Sequence, residues 1–202
     1  MADTGMSDWS VFATGRYRFL ALDVETANSD AASICQIGLA GVRFDGSIAT
    51  WACYVDPRDR FSAFNTRLHG ISAATVAGAV TFAPLLHRLS PLLSQVTVVQ
   101  HSTFDRTAIH AACRSHQIGA PDWTWIDSVR VARVAWPEFK GAGGHGLGHL
   151  KTRLDLEFTH HDAGEDARAA AMVVLRAEAL TGRSFTDLAA PAARRPALVQ
   201  QA

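Results

Sequence analysis

Residues 17–56 read YRFLALDVETANSDAASICQIGLAGVRFDGSIATWACYVD, and three β-rich runs inside that stretch decide the fold. Tyr17 to Val24 is apolar apart from Arg18 until it ends in acids, the pattern of a strand covered on both faces. Ser33 to Phe44 and Ile48 to Val55 are separated by Asp45-Gly46-Ser47, whose Asp-Gly pair is a hairpin turn signal. The three runs therefore predict an antiparallel meander.

Downstream the pattern changes to alternation of helix and strand. A loose stretch from Arg58 to Ala79 precedes a helix expected over Phe82 to Leu93. Val96 to Gln100 reads as a β-branched strand, and Thr103 to about Gln117 as a helix. A last strand is expected near Trp123 to Ile126, then a helix from Ser128 to Val134. The run Gly141 to Gly148 (GAGGHGLG) is a turn-rich segment, and Ala163 to Leu180 is a long alanine-rich helix. A meander followed by alternating helices and strands implies an α/β fold with helices on both faces of a mixed sheet. Residues 1–15 read as an N-terminal extension, 16–185 as the domain and 186–202 as a flexible tail.

At 202 residues the chain has room for one domain and one site. It is 48% hydrophobic and 19% charged with a formal net charge of zero, so any grip on nucleic acid must be local rather than a global positive field. Cys35, Cys53 and Cys113 are widely spaced, which predicts buried, reduced thiols and no thiolate zinc site. No apolar run reaches bilayer length and no basic cluster precedes an apolar stretch at the N-terminus, so no membrane partner is expected and a cytoplasmic location is the default.

The chemistry lies in the acids. Asp23 and Glu25 are two apart at the carboxyl end of a strand, so both carboxylates share a face about 6 to 7 Å apart at Cα. In the run His161-Asp162-Ala163-Gly164-Glu165-Asp166, an N-cap Asp162 with Glu165 three residues on predicts a helix starting at Ala163. His161 then stands at N′ and Asp166 at N4, positions whose side chains usually form an apolar staple; a polar pair there points to function. Asp105 has two readings, a capping-box acid if Ser102 is the N-cap, or a metal ligand. Hard oxygen donors suit Mg²⁺ or Mn²⁺, and a neutral histidine could take a proton from an attacking water. A zinc pair of His145 and His149 is disfavoured by the surrounding glycines, and His160 reads as a solvated neighbour of His161. Trp123 and Trp125 are expected to pack under helices, whereas Trp136 and Phe139, with Arg130, Arg133 and Lys140 nearby, are candidates for exposed base contacts.

The order Asp23-x-Glu25-Thr26, then His101-Ser102-Thr103-Phe104-Asp105, then His161-x-Ala163-x-x-Asp166 resembles the three motifs of the DEDDh group of DnaQ-like 3′→5′ exonucleases. Leu68-His69-Gly70-Ile71 resembles the family's His-Gly-Ile segment, and the likeness runs from about Tyr17 to Leu180. It implies a ribonuclease H-like fold with a five-stranded mixed sheet. It also implies two divalent ions, Mg²⁺ or Mn²⁺, on Asp23, Glu25, Asp105 and Asp166, with His161 as general base. Thr26, His69, Ser102 and Phe104 would border the substrate; Ser102 departs from the family, which commonly has Asn there. The implied reaction releases 5′-mononucleotides from 3′ ends of single-stranded DNA or RNA, DNA favoured, with a DNA polymerase as a candidate partner. RNA trimming, or a silent module that binds nucleic acid or anchors a polymerase, are the alternatives. Oligomeric state is left open.

Overall fold

A computed structural model describes residues 9–190. The meander is formed by β1 (Phe19–Thr26), β2 (Ile34–Val42) and β3 (Ile48–Asp56), paired antiparallel as the turn signal predicts. On the other side of β1, β5 (Thr97–Gln100) and then β6 (Trp125–Asp127) run parallel to it. A two-residue strand β4 (Val80–Thr81) lies parallel to the end of β3. The sheet thus has six strands in the order β4-β3-β2-β1-β5-β6, one more than the expected five. Two residues are too few to leave an alternating pattern in a sequence.

Helices cover both faces. The face carrying Leu20, Leu22 and Val24 packs on α3 (Phe82–Leu93) and α4 (Phe104–Ser115) through Leu85, Leu89, Ala108 and Ile109. The face carrying Phe19 and Ala21 packs on α7 (Ala163–Thr181) and α8 (Phe185–Ala189) through Ala167, Ala170, Ala171, Val174 and Phe185. Small alanines bring α7 close to the sheet. The closest approach is at Gly38 on β2, where a Cβ would stand 2.0 Å from the backbone of Ala163.

Inside the expected N-terminal extension, α1 (Trp9–Ala13) inserts Trp9 and Phe12 against Trp51. At the other end Leu188 of α8 is buried, and residues 191–202 of the expected tail lie outside the described residues. The loose stretch holds α2 (Ala63–His69), capped by Ser62 and by Gly70 at φ 77°. A second core lies among α5 (Ser128–Ala135), α6 (Leu147–Arg153) and α7. Trp136 and Phe139 belong to it, 7% and 5% exposed, with rings stacked at 6.3 Å. They are therefore not surface base contacts: the 3-10 turn at Pro137–Phe139 folds both rings under α6. Trp123 is buried against Trp125, as expected. The three cysteines are buried and free.

Candidate active site

β1 and β5 part company at the site. Their parallel register ends at Ala21↔Val99, while β1 continues through Asp23 and Glu25 still paired to β2. A cleft opens at the carboxyl ends of the two parallel strands, where open α/β sheets place their ligands. Asp105, from the first turn of α4, fills the vacated edge: its Oδ1 accepts the Val24 amide N–H at 3.1 Å. The helix is capped at Thr103 with no side-chain hydrogen bond, so the capping-box reading of Asp105 is excluded. Only 2% of Asp105 is exposed. A carboxylate buried that deeply on a helix needs a partner other than the helix end.

Asp166 arrives from above on α7. The helix begins at Ala163, and the Asp162 carboxylate caps it by accepting the Glu165 N–H at 3.0 Å, as the sequence pattern predicts. Gln36, buried on β2, anchors this helix start to the sheet. Its Oε1 accepts the Ala163 N–H at 3.1 Å and its Nε2 donates to Asp162 Oδ2 at 3.2 Å. Nothing in the sequence singled out Gln36 or Gly38. A polar residue two before a glycine on an otherwise apolar strand was the available signal.

Carboxylate oxygens of Asp23, Glu25 and Asp166 lie within 4.8 Å of one another. All four acids, with His101, Ser102, Phe104, Leu147, His160 and His161, line one cleft of about 330 Å³. Burial, reinforced by the neighbouring carboxylates, holds Asp23 well above the ordinary range for an aspartate. Glu25 is pushed up to about 7 by burial and by the charges of Asp166 and Asp162. Asp105 also rises to about 7, burial outweighing its backbone hydrogen bonds. Asp166 is raised by burial despite the histidines beside it. Among the described residues no lysine or arginine pairs with any of the four. An all-oxygen set with no lysine or arginine beside it fits hard divalent cations such as Mg²⁺ or Mn²⁺.

The histidines are arranged differently from the sequence expectation. His160 is exposed, as expected, yet it is its Nδ1 that meets Asp166 Oδ1 at 2.8 Å, while His161 reaches Oδ2 through its backbone N–H at 2.7 Å. His161 has φ 68°, a left-handed conformation that turns the chain and stacks the two rings 4.0 Å apart. The His161 ring is kept neutral: burial and the adjacent His160 lower its pKa, offset in part by Asp166. Both rings face the cleft.

Of the expected substrate neighbours, Ser102 and Phe104 line the cleft, and Phe104 is 46% exposed. Ser102 sits at φ 92°, held by its N–H donating to Asp127 Oδ1. Thr26 and His69 are not among the residues lining the cleft; they are bonded to each other at the end of β1, with His69 near enough to His161 to lower its pKa. His69 Nε2 donates to the Thr26 carbonyl at 3.1 Å while Nδ1 accepts the Ile71 N–H at 3.0 Å, so this ring clamps the end of β1. His145 does not join His149. It bonds the Trp136 carbonyl, and His101 Nε2 lies 2.9 Å from the His145 carbonyl.

A family model described as Exonuclease (RNase_T) matches residues 20–174. The chain is 31% identical over 176 residues to the DNA polymerase III PolC-type of Streptococcus agalactiae serotype III (strain NEM316), covering 84% of this chain and 12% of that one. The PolC-type polymerase of Streptococcus thermophilus (strain ATCC BAA-491 / LMD-9) is 30% identical over 155 residues, 75% of this chain and 10% of that one. The chain therefore spans about a tenth of the length of these relatives. Among solved structures, Exonuclease X in complex with 5′ overhanging duplex DNA aligns at TM-score 0.68 and 21% identity, covering 85% of this chain and 97% of that one. The nuclease domain of 3′hExo, a DEDDh family member bound to rAMP, aligns at 0.65 and 16%, over 80% and 92%.

Proposed function

Because the chain belongs to the DnaQ-like exonuclease family, we propose that it is a 3′→5′ exonuclease that hydrolyses the terminal phosphodiester of single-stranded nucleic acid, DNA favoured. The observation that carries the reading is the convergence of Asp23, Glu25, Asp105 and Asp166 from three elements on one cleft, with no lysine or arginine partner among the described residues. Those four residues would hold two divalent ions. Bound there, such ions supply the positive charge that stabilises both the attacking and the leaving oxygen of an in-line displacement.

The chain's own groups do the rest. His161, neutral at working pH and open to the cleft, accepts the proton of the attacking water on a ring nitrogen. His160 and the His161 amide hold the two oxygens of Asp166, fixing that carboxylate on α7 while it faces Asp23 and Glu25. The 2.8 Å contact of His160 with Asp166 favours a second reading, in which His160 is the base and Asp166 orients it. Phe104 offers an exposed ring to the terminal base, and Ser102 a hydroxyl at the cleft wall. Thr26 and His69 shape the rim beside it.

DNA as substrate and a DNA polymerase as partner are supported by the identity of the relatives as polymerases; the rAMP-bound neighbour keeps RNA trimming as the alternative. The test is incubation of 5′-labelled DNA and RNA single strands with Mg²⁺, Mn²⁺ or chelator. Metal-dependent shortening from the 3′ end, faster on DNA, is expected. Failure on both sugars with either ion would leave the silent binding module as the correct reading.

A further inference from the structure

Beside the catalytic cleft lies a second cavity of about 460 Å³, lined by Arg133, Pro137, Lys140, Gly141, Gly144 and His145. The two hollows share a wall, because the His145 carbonyl of this cavity is bonded to Nε2 of His101, which lines the cleft. Their charges are opposite. In a chain whose net charge is zero, residues 128–154 hold five basic side chains, Arg130, Arg133, Lys140, Lys151 and Arg153, against the single acid Glu138.

Arg133 and Lys140 are exposed, and among the described residues neither forms an ion pair. Arg153 stands 5.0 Å over the Phe139 ring that underlies the turn. That turn is built on glycines at φ 82°, 101° and 80°, Gly141, Gly143 and Gly144. The amides of Gly141 and Gly143 donate to no acceptor among the described residues, and nothing lies within 4 Å of the place a Cβ would take at Gly141 or Gly144. The Ala142 and Gly144 amides between and after them donate to the Phe139 carbonyl, so the cavity offers an anion the two cationic side chains and the open Gly141 backbone beside them.

We propose that this cavity binds backbone phosphates of the substrate strand upstream of its 3′ end, so that Arg133 and Lys140 hold the nucleic acid while the terminal nucleotide occupies the acidic cleft. The inference rests on the exonuclease reading for the identity of the anion. An acidic site repels the polyanion it must cut, and a cationic hollow one wall away supplies the attraction the cleft lacks. The contact is with phosphate and carries no sequence preference.

The experiment compares the full chain with R133A/K140A and R133E/K140E by anisotropy of a labelled 20-mer in chelator across a salt series, alongside hydrolysis of the 20-mer and of a dinucleotide in Mn²⁺. Loss of two phosphate contacts should weaken 20-mer binding about tenfold or more at low salt and make the slope of log K against log salt shallower by roughly 1.4. KM for the 20-mer should rise correspondingly, and KM for the dinucleotide, whose one phosphate is the scissile one, far less. An unchanged salt slope, or equal changes of KM for both lengths, overturns the proposal. If the wild type cut neither substrate while the slope still depended on Arg133 and Lys140, the exonuclease reading would fall and the phosphate site would stand.

Discussion

The layer between α7 and the sheet has two unlike ends built from the same elements. Toward the C-terminal end of α7, Phe19 and Ala21 of β1 meet Ala170, Ala171 and Val174 in a fully apolar contact. Two strand residues further on, the same face of β1 presents Asp23 and Glu25, and one helical turn before Ala170 stands Asp166. One end follows the rule that like-sized apolar groups pack closely. The other gathers carboxylates that repel each other and are favoured in water, and burial with mutual repulsion raises their pKa values. Stability is supplied at the apolar end and given up at the acidic one, the signature of a site kept for function.

Exchanging the character of the two ends should break the contrast most sharply. D23N or D166N removes an oxygen donor with charge and should lower kcat/KM on the order of 10³-fold, since a bound cation contributes several kcal/mol to the transition state. The same variants, melted in chelator, should be at least as stable as wild type because a buried repulsion has gone. The mirror change, A170D, should cost about 3 kcal/mol or more by burying an unpaired carboxylate. Wild-type melting of A170D, or wild-type activity of D166N, would contradict the division.

H161A tests the base. A loss of roughly 10² to 10⁴-fold in kcat, with disappearance of the acidic limb of the pH profile, is expected if His161 accepts the proton. The larger loss in H160A would instead support His160 as the base. G38A tests the seam between the two ends: its methyl would meet the backbone at Ala163, displacing the helix start that carries Asp166. Its expected cost is about 1–3 kcal/mol in a denaturant melt, with activity reduced in parallel.

These particular residues also show what the sequence could and could not display. Asp23 with Glu25 was readable because a strand repeats every two residues, and the start of α7 because Asp162 and Glu165 occupy cap and N3. The histidine partner of Asp166 was not, because spacing rules assume an ordinary backbone at N′, and His161 is left-handed, which brings the ring of His160 forward. Asp105 looked like a cap because Ser102 looked like an N-cap. In the structure Ser102 takes φ 92° and the helix starts at Phe104, leaving Asp105 to close the open edge of β1. Trp136 and Phe139 read as exposed because a glycine loop lies nearby, while the core they enter is completed by α7 and α8, distant in sequence.

The smallest expected effect is on pH. Glu25 and Asp105 keep protons in the folded chain up to about pH 7 that the unfolded chain releases near pH 4. Their contribution to stability is therefore complete below pH 4 and lost as pH rises toward 7. The chelated protein should melt a few degrees higher at pH 5.5 than at pH 8, and E25Q should shrink that difference. A melting temperature that rises over this interval equally in wild type and E25Q would argue against the buried cluster.

The central claim is that the acidic end of the layer is a cation site, and calorimetric titration of Mn²⁺ at pH 6.5 in two buffers of different ionisation enthalpy tests it most directly. Binding by the wild type accompanied by proton release, as cations displace protons held by Asp23, Glu25 and Asp105, with binding lost or much weakened in D23N, is the predicted result. No Mn²⁺ binding by the wild type, or equal binding by D23N, would contradict it.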